Sequence, residues 1–173
     1  MNDLGYFAPT TVDEALELLS TVEGDARLLA GGTDLLILMR RKRVLPDSIV
    51  DLTKVKELNY IKDEGGYIKI GSMTTFTQLE RSPLINEKAR VLAQACREVG
   101  SPLIRHRGTI GGNIATASPA ADSVPALIAL GSTVVLESVR GIRELGLEEV
   151  LCGVNKNRVE KDEILTQIYF PIS

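Results

Sequence analysis

The sequence has no tryptophan, 4% aromatic residues, one histidine and two cysteines in 173 residues. So few aromatic rings supply no stacking platform for single-stranded nucleic acid. A net charge of −3 and a pI near 5.3 lack the basic footprint that nucleic-acid binding needs. His106 is the only histidine, and Cys96 and Cys152 lie far apart with no C-x-x-C. This chain alone therefore offers no ligand set for zinc or an iron–sulfur cluster, and its cysteines read as reduced thiols of a cytoplasmic protein. No apolar run reaches transmembrane length. Met1-Asn2-Asp3-Leu4-Gly5 has neither the basic nor the apolar region of a signal peptide. Both G-x-G-x-x-G and G-K-[ST] are missing, which disfavours a nicotinamide Rossmann domain and a P-loop nucleotide hydrolase. No side chain stands out as a general acid or base, so no catalytic residue and no metal ligand is named.

What is present suits a well-buried core, since 44% hydrophobic residues over this length are enough for one core or two lobes. Thr11 with Glu14 forms a capping box ahead of a helix that ends at Gly24. Arg27 to Ala30 reads as a strand, Asp34 to Arg40 as a helix and Ser48 to Leu52 as a strand. A second lobe opens with a hairpin turn at Gly65-Gly66 and the alternating strand Tyr67 to Ile70. Thr75 and Gln78 form a second capping box. A long helix from Pro83 to Val99 is expected to turn Leu84, Ala89, Leu92, Ala95 and Val99 inward, with Gly100 as its stop. Val124 to Leu130 reads as a short helix, and Thr133 to Ser138 and Ile164 to Phe170 as strands. The one charge run, Arg40 to Arg43, falls at a helix end, where cations favour the dipole; a solvated end and a docking patch both fit it.

Two glycine-paired segments carry the functional signal. Ala30-Gly31-Gly32-Thr33-Asp34 and Gly108-Thr109-Ile110-Gly111-Gly112-Asn113 each follow an apolar run. Paired glycines let the backbone approach a ligand closely, and exposed N–H groups in such a turn form an anion-binding concavity. One pair alone is as well explained by a tight turn. Two pairs suggest the two walls of a pyrophosphate site, with Thr33 and Thr109 adding hydroxyls and the helix after Asp34 adding its dipole. Asp122, which only accepts hydrogen bonds when ionised, suits ribose or ring N–H groups better than phosphate.

Leu28-Leu29-Ala30-Gly31-Gly32-Thr33-Asp34-Leu35 resembles the first FAD loop of the flavoprotein subunits of molybdenum hydroxylases. That family includes the FAD subunit of xanthine dehydrogenase and the medium subunit of carbon monoxide dehydrogenase. Ile104 to Ala115 resembles the second loop, and Ser118-Pro119-Ala120-Ala121-Asp122 and Asp162-Glu163-Ile164-Leu165 continue the likeness in order. The resemblance implies an α+β, two-subdomain FAD-binding fold of the p-cresol methylhydroxylase type, divided as residues 1–52 and 53–173. It implies that Leu28, Leu29, Ala30, Gly31, Gly32, Thr33, Asp34 and Leu35 hold the cofactor from the first lobe. Thr109, Ile110, Gly111, Gly112 and Asn113 close on it from the second, with Asp122 and Leu165 as further contacts and Val99 as an additional candidate. His106 stands where the family often has Asn. Family members usually continue with a small C-terminal domain, which is absent from these 173 residues.

The resemblance also implies a function: an FAD-binding electron-transfer subunit of a molybdenum-dependent hydroxylase. A molybdopterin-binding large subunit and a [2Fe–2S] small subunit are the implied partners, with NAD or another molecule as acceptor. Two other readings stay open, a stand-alone flavin reductase of the same fold type and a cofactor-free interaction module.

Overall fold

Each lobe is built by local rules that the sequence states, and the two are joined by contacts that it does not. The computed structural model describes residues 4–172. The first lobe runs β1 (Gly5–Phe7), α1 (Val12–Thr21), β2 (Ala26–Leu29), α2 (Leu35–Arg40) and β3 (Ser48–Asp51). Its three strands pair in parallel in the order β1-β3-β2. Thr11 caps α1 by accepting the Glu14 N–H, while the Glu14 carboxylate reaches back one residue further than a standard box, to Thr10. Gly24 adopts φ +85 and turns the chain into β2.

Two single 3₁₀ turns, Leu52–Lys54 and Lys56–Leu58, lead into the second lobe. The hairpin β4 (Ile61–Glu64) and β5 (Tyr67–Gly71) turns through Gly65 and Gly66, both at positive φ. Then come α3 (Phe76–Arg81), α4 (Pro83–Lys88), α5 (Arg90–Glu98), α6 (Pro102–Arg107), α7 (Ile110–Thr116) and α8 (Ser123–Ala129). A β6 (Thr133–Ser138) and β7 (Gly141–Gly146) hairpin, α9 (Leu147–Val150), the small pair β8 (Leu151–Gly153) and β9 (Lys156–Asn157), and β10 (Ile164–Pro171) complete it. The sheet is antiparallel in the order β4-β5-β10-β6-β7. A bulge at Thr166 interrupts the β10–β6 ladder.

The main core lies between this sheet and its helices, around Ile68, Ile70, Leu79, Leu92, Leu127, Leu136, Ile168 and Phe170, all buried. A second core joins Ala15, Leu16, Leu19 and Val50 of the first lobe to Val55, Leu58, Met73 and Ile164. Burying that apolar area is what seats one lobe on the other.

Three expectations change. The helix expected over Pro83 to Val99 is two helices, broken at Ala89, whose φ −145 and ψ 53 are not helical. The apolar spacing runs on through the break, with Ile85, Ala89, Leu92, Cys96 and Val99 buried, so periodicity alone hides it. Ala89 N–H closes α4 on the Ile85 carbonyl at 2.8 Å, and Asn86 Nδ2 donates to the carbonyls of Glu80 and Ser82, tying α4 to the end of α3. Leu84 and Ala95, expected to face inward, pack only at the edge of the core. The third change is that Ile110 to Asn113 form the first turn of a helix rather than a loop.

α2 is also unusual. Its sequence Leu-Leu-Ile-Leu-Met-Arg has no buried residue, and Leu36 and Ile37 are 47% and 46% exposed. Arg41, Lys42 and Arg43 follow it, all exposed. Among the described residues, none of Arg40 to Arg43 forms an ion pair.

Candidate functional site

The crevice between the lobes is closed at one point by backbone. A Cβ built on Gly31 would lie 2.1 Å from the carbonyl oxygen of Arg107 and 3.0 Å from Gly108 Cα. Only a residue without a side chain lets the first loop press against the end of α6 in this way. Gly32 follows at φ +75, a conformation that favours glycine. The loop therefore turns away from β2 with its amide groups unspent. The backbone N–H groups of Gly31, Gly32, Thr33 and Asp34 donate to no described residue. Four successive free N–H groups are the polar cradle that an anion fills.

The second segment is built differently. Thr109 Oγ1 caps α7 by accepting the Gly112 N–H at 3.2 Å. Ile110 N–H donates to the Thr74 carbonyl at 3.0 Å and Gly111 N–H to the Ser72 carbonyl at 2.9 Å. Asn113 N–H donates to the Thr109 carbonyl at 3.0 Å. The Thr74 and Ser72 bonds, with Phe76 N–H to the Gly108 carbonyl at 3.1 Å, stitch the segment to the chain after β5. Gly111 is a packing glycine, since a Cβ there would sit 2.5 Å from Ser72 Cβ. Gly112 faces the crevice: its added Cβ would meet Thr109 Oγ1 at 3.0 Å and Ala30 Cβ at 3.7 Å. The free backbone donors thus belong to the first loop, whereas the second presents the open face of Gly112 and polar side chains.

Those side chains are held. Asn113 Oδ1 accepts the Ser123 hydroxyl at 2.7 Å, which fixes the start of α8 and leaves Nδ2 without a partner among the described residues. Asp122, the residue before α8, is exposed and makes no side-chain cap. Across the crevice Thr116 Oγ1 lies 3.5 Å from Asp34 Oδ2, and its hydroxyl also contacts the Gly112 carbonyl at 2.9 Å. Thr116 was not among the expected residues. On a helix it shares a face with Gly112 and Asn113, a signal lost when the segment is taken for a loop. The pair β8–β9 braces this end, with Asn157 Nδ2 donating to the Ala115 carbonyl at 2.6 Å and Asn155 N–H to that of Ala117 at 2.9 Å.

The structure brings the Ala30 to Asp34 loop together with Thr109, Gly112 and Thr116, with Asn113 one residue beyond Gly112 on α7. Leu28 and Leu29 lie in β2, and Leu35 opens α2. Ile110 is fully buried, a core residue rather than a lining one. Val99 and Leu165 are 8% and 6% exposed and belong to the core of the second lobe; Leu165 lies on β10, against which α7 packs, and Val99 ends α5. Arg105 stabilises the approach of α6: its Nη1 donates to the Val99 carbonyl at 3.1 Å, and its Nε sits 3.1 Å from Glu80 Oε2. That ion pair has the distance of a hydrogen bond without its angle.

The residues match a known family over the whole described length. The model for the FAD binding domain in molybdopterin dehydrogenase matches residues 2–173. The chain is 45% identical over 172 residues to the nicotinate dehydrogenase FAD-subunit of Eubacterium barkeri, covering 97% of this chain and 58% of that protein. It is 36% identical over 166 residues to the carbon monoxide dehydrogenase medium chain of Hydrogenophaga pseudoflava, covering 96% and 58%. The solved carbon monoxide dehydrogenase from that organism, lacking the Mo-pyranopterin moiety, superimposes with a TM-score of 0.95 at 35% identity, over 98% of this chain and 59% of that one. Quinoline 2-oxidoreductase from Pseudomonas putida 86 gives the same TM-score at 30% identity, over 99% and 60%. The chain thus spans 58% of the length of these curated relatives.

Proposed function

We propose, from the premise that the chain belongs to the family of FAD-binding domains in molybdopterin dehydrogenases, that it is the electron-transfer flavoprotein part of a molybdenum-dependent hydroxylase. It is an FAD-binding domain with the two-subdomain α+β fold of the p-cresol methylhydroxylase type. We take residues 1–52 and 53–173 as the two subdomains. In this reading, electrons from a substrate oxidised on a molybdopterin-binding large subunit leave through [2Fe–2S] clusters on a small subunit. They are delivered here and passed to NAD or another acceptor. The setting is cytoplasmic; no helix among the described residues is long and apolar enough to cross a membrane.

The observation that carries the reading is the run of four unspent N–H groups from Gly31 to Asp34, on a loop that Gly112 approaches at Ala30 and Thr116 at Asp34. A pyrophosphate needs donors without a bulky side chain in the way, and this loop supplies them. Gly31 sets the width of the crevice through its contact with Arg107. Asn113 and Thr116 add an amide and a hydroxyl, and Asp122 an acceptor for ribose or ring N–H groups. Leu165, on β10, backs α7 from the core, and Val99 is a further candidate contact at the end of α5. When bound, FAD supplies the exchange between one-electron and two-electron chemistry, while the protein provides binding and placement.

The test is reconstitution. Chain incubated with FAD and desalted is expected to show a flavin spectrum, and acid precipitation should release the flavin to the supernatant. Mixed with a molybdopterin subunit and a [2Fe–2S] subunit of a nicotinate dehydrogenase-like complex, it is expected to show substrate-dependent bleaching of the flavin. Substrate turnover by the chain alone, with no metal detected, would instead identify a self-contained flavin enzyme.

A further inference from the structure

α6 carries the carbonyl against which the Gly31 loop closes, yet none of its 6 residues is buried. So short a helix holds its place by tertiary contacts, and without buried apolar residues those contacts must be largely polar. Ser101 Oγ accepts the Ile104 N–H at 3.4 Å at its start, and Phe76 N–H donates to the Gly108 carbonyl at 3.1 Å just past its end. Between them stands Arg105, whose side chain is only 16% exposed and whose Nη1 donates to the Val99 carbonyl at the end of α5.

The charge that answers Arg105 is Glu80, on α3. Glu80 does not line the crevice. Its side chain is 14% exposed, with Oε2 3.1 Å from Arg105 Nε. Arg81 Nε is farther, 3.7 Å from Oε1, on a side chain that is 72% exposed. The backbone of Glu80 is held in turn, since its carbonyl accepts from Asn86 Nδ2 at 2.9 Å. A charge this far from solvent is costly unless it is paired, and parting the two groups strands both. The pair therefore fixes α6 at one distance from α3. Arg105 precedes Arg107 by two residues on the same helix. A Cβ on Gly31 would lie 2.1 Å from the Arg107 carbonyl oxygen, so a displacement of α6 is passed straight to the loop with the unspent N–H groups.

We propose that Glu80 is a positioning residue for the cofactor site: through Arg105 it fixes the end of α6, and with it the Arg107 carbonyl that sets where the Gly31–Asp34 cradle stands. The proposal rests on the reading of that cradle as the FAD site.

The test is the affinity of the chain for FAD, measured well below the melting temperature, together with the visible circular dichroism of the bound flavin. Glu80→Gln is expected to weaken FAD by about tenfold and to change the dichroism. Glu80→Asp, which keeps the charge, is expected to recover part of the affinity. Leu92→Ala hollows the core of α5, on which α3 packs; it is expected to lower Tm while FAD affinity and dichroism stay those of the wild type. Gly31→Ala combined with Glu80→Gln is expected to lose less affinity than the product of the two single losses, because both act at one contact. Where Glu80→Gln does not fold, Arg105→Lys, which keeps the charge but not the two-armed guanidinium, takes its place. Four results would overturn the proposal: wild-type FAD affinity in Glu80→Gln, no recovery in Glu80→Asp, an equal loss in Leu92→Ala, or the full product of losses in the combined variant. A wild-type chain that takes up no FAD would overturn the proposed function together with this proposal. Wild-type FAD uptake with an indifferent Glu80→Gln would overturn this proposal alone.

Discussion

Gly31 and Arg107 meet where the two lobes close, at a distance that leaves no room for a methyl group between the glycine Cα and the arginine carbonyl oxygen. The contact is made by backbone on both sides. It therefore sets the spacing of the crevice independently of which side chain stands at 107.

Gly31→Ala puts a Cβ 2.1 Å from that carbonyl, so the lobes must part or the loop must shift. Overpacking of this kind costs about 1 to 3 kcal/mol, which for a chain of this size lowers Tm by roughly 3 to 10 °C. Differential scanning calorimetry reads the loss, and FAD uptake should fall with it. An unchanged melt would mean that the loop yields at no cost and does not space the lobes.

Gly112→Asp separates binding from folding. The added Cβ meets only the Thr109 hydroxyl and Ala30 Cβ, so the fold should survive. A carboxylate about 4 Å from a bound phosphate, at an effective dielectric near 20, is repelled by ~4 kcal/mol before solvent screening. The expected product is folded apoprotein with a normal far-UV spectrum and little flavin. Wild-type FAD affinity in this variant would show that Gly112 does not face the phosphates.

Glu163 has a pH signature. Burial pushes its carboxyl up, but the hydrogen bonds from Arg143 Nε and Nη2 and the Glu160 N–H outweigh burial and hold it below the usual carboxylate range. A carboxyl depressed in the folded state adds stability at any pH above its unfolded value, and that stability is lost as pH falls through the folded value. Glu163→Gln should therefore cost about 2 kcal/mol at pH 7. The gap to wild type should narrow in urea melts run at progressively lower pH, below about 4. A gap independent of pH would mean that the Arg143 pair contributes no net charge stabilisation.

The two thiols should react very differently. Burial, with Glu80 adding to it, pushes the Cys96 thiol up to about 12, whereas Cys152 is exposed on β8. The thiolate is the nucleophile, so maleimide at pH 7.5 should label Cys152 within minutes and leave Cys96 untouched until the chain is unfolded. Mass spectrometry of the tryptic peptides distinguishes them, and rapid labelling of native Cys96 would show that the α3–α5 core opens.

What could be read from the sequence was local. The Thr75–Gln78 box, the Gly65-Gly66 hairpin and the strands at 133–138 and 164–170 depend on neighbours a few residues apart, and each is found in the structure, the last running one residue further. The family likeness was legible for the same reason, since it rests on short motifs in order. The break at Ala89 was not, because apolar spacing is continuous across it and no glycine or proline marks it. Nor was the division of labour between the two glycine segments. In sequence they look alike, each a Gly-Gly followed by polar residues. Only in the folded chain do the carbonyls of Ser72 and Thr74 arrive to take the N–H groups of Gly111 and Ile110, while no acceptor arrives for those of Gly31 to Asp34. Whether a backbone donor is free for a ligand depends on which distant acceptor reaches it, and tertiary packing decides that.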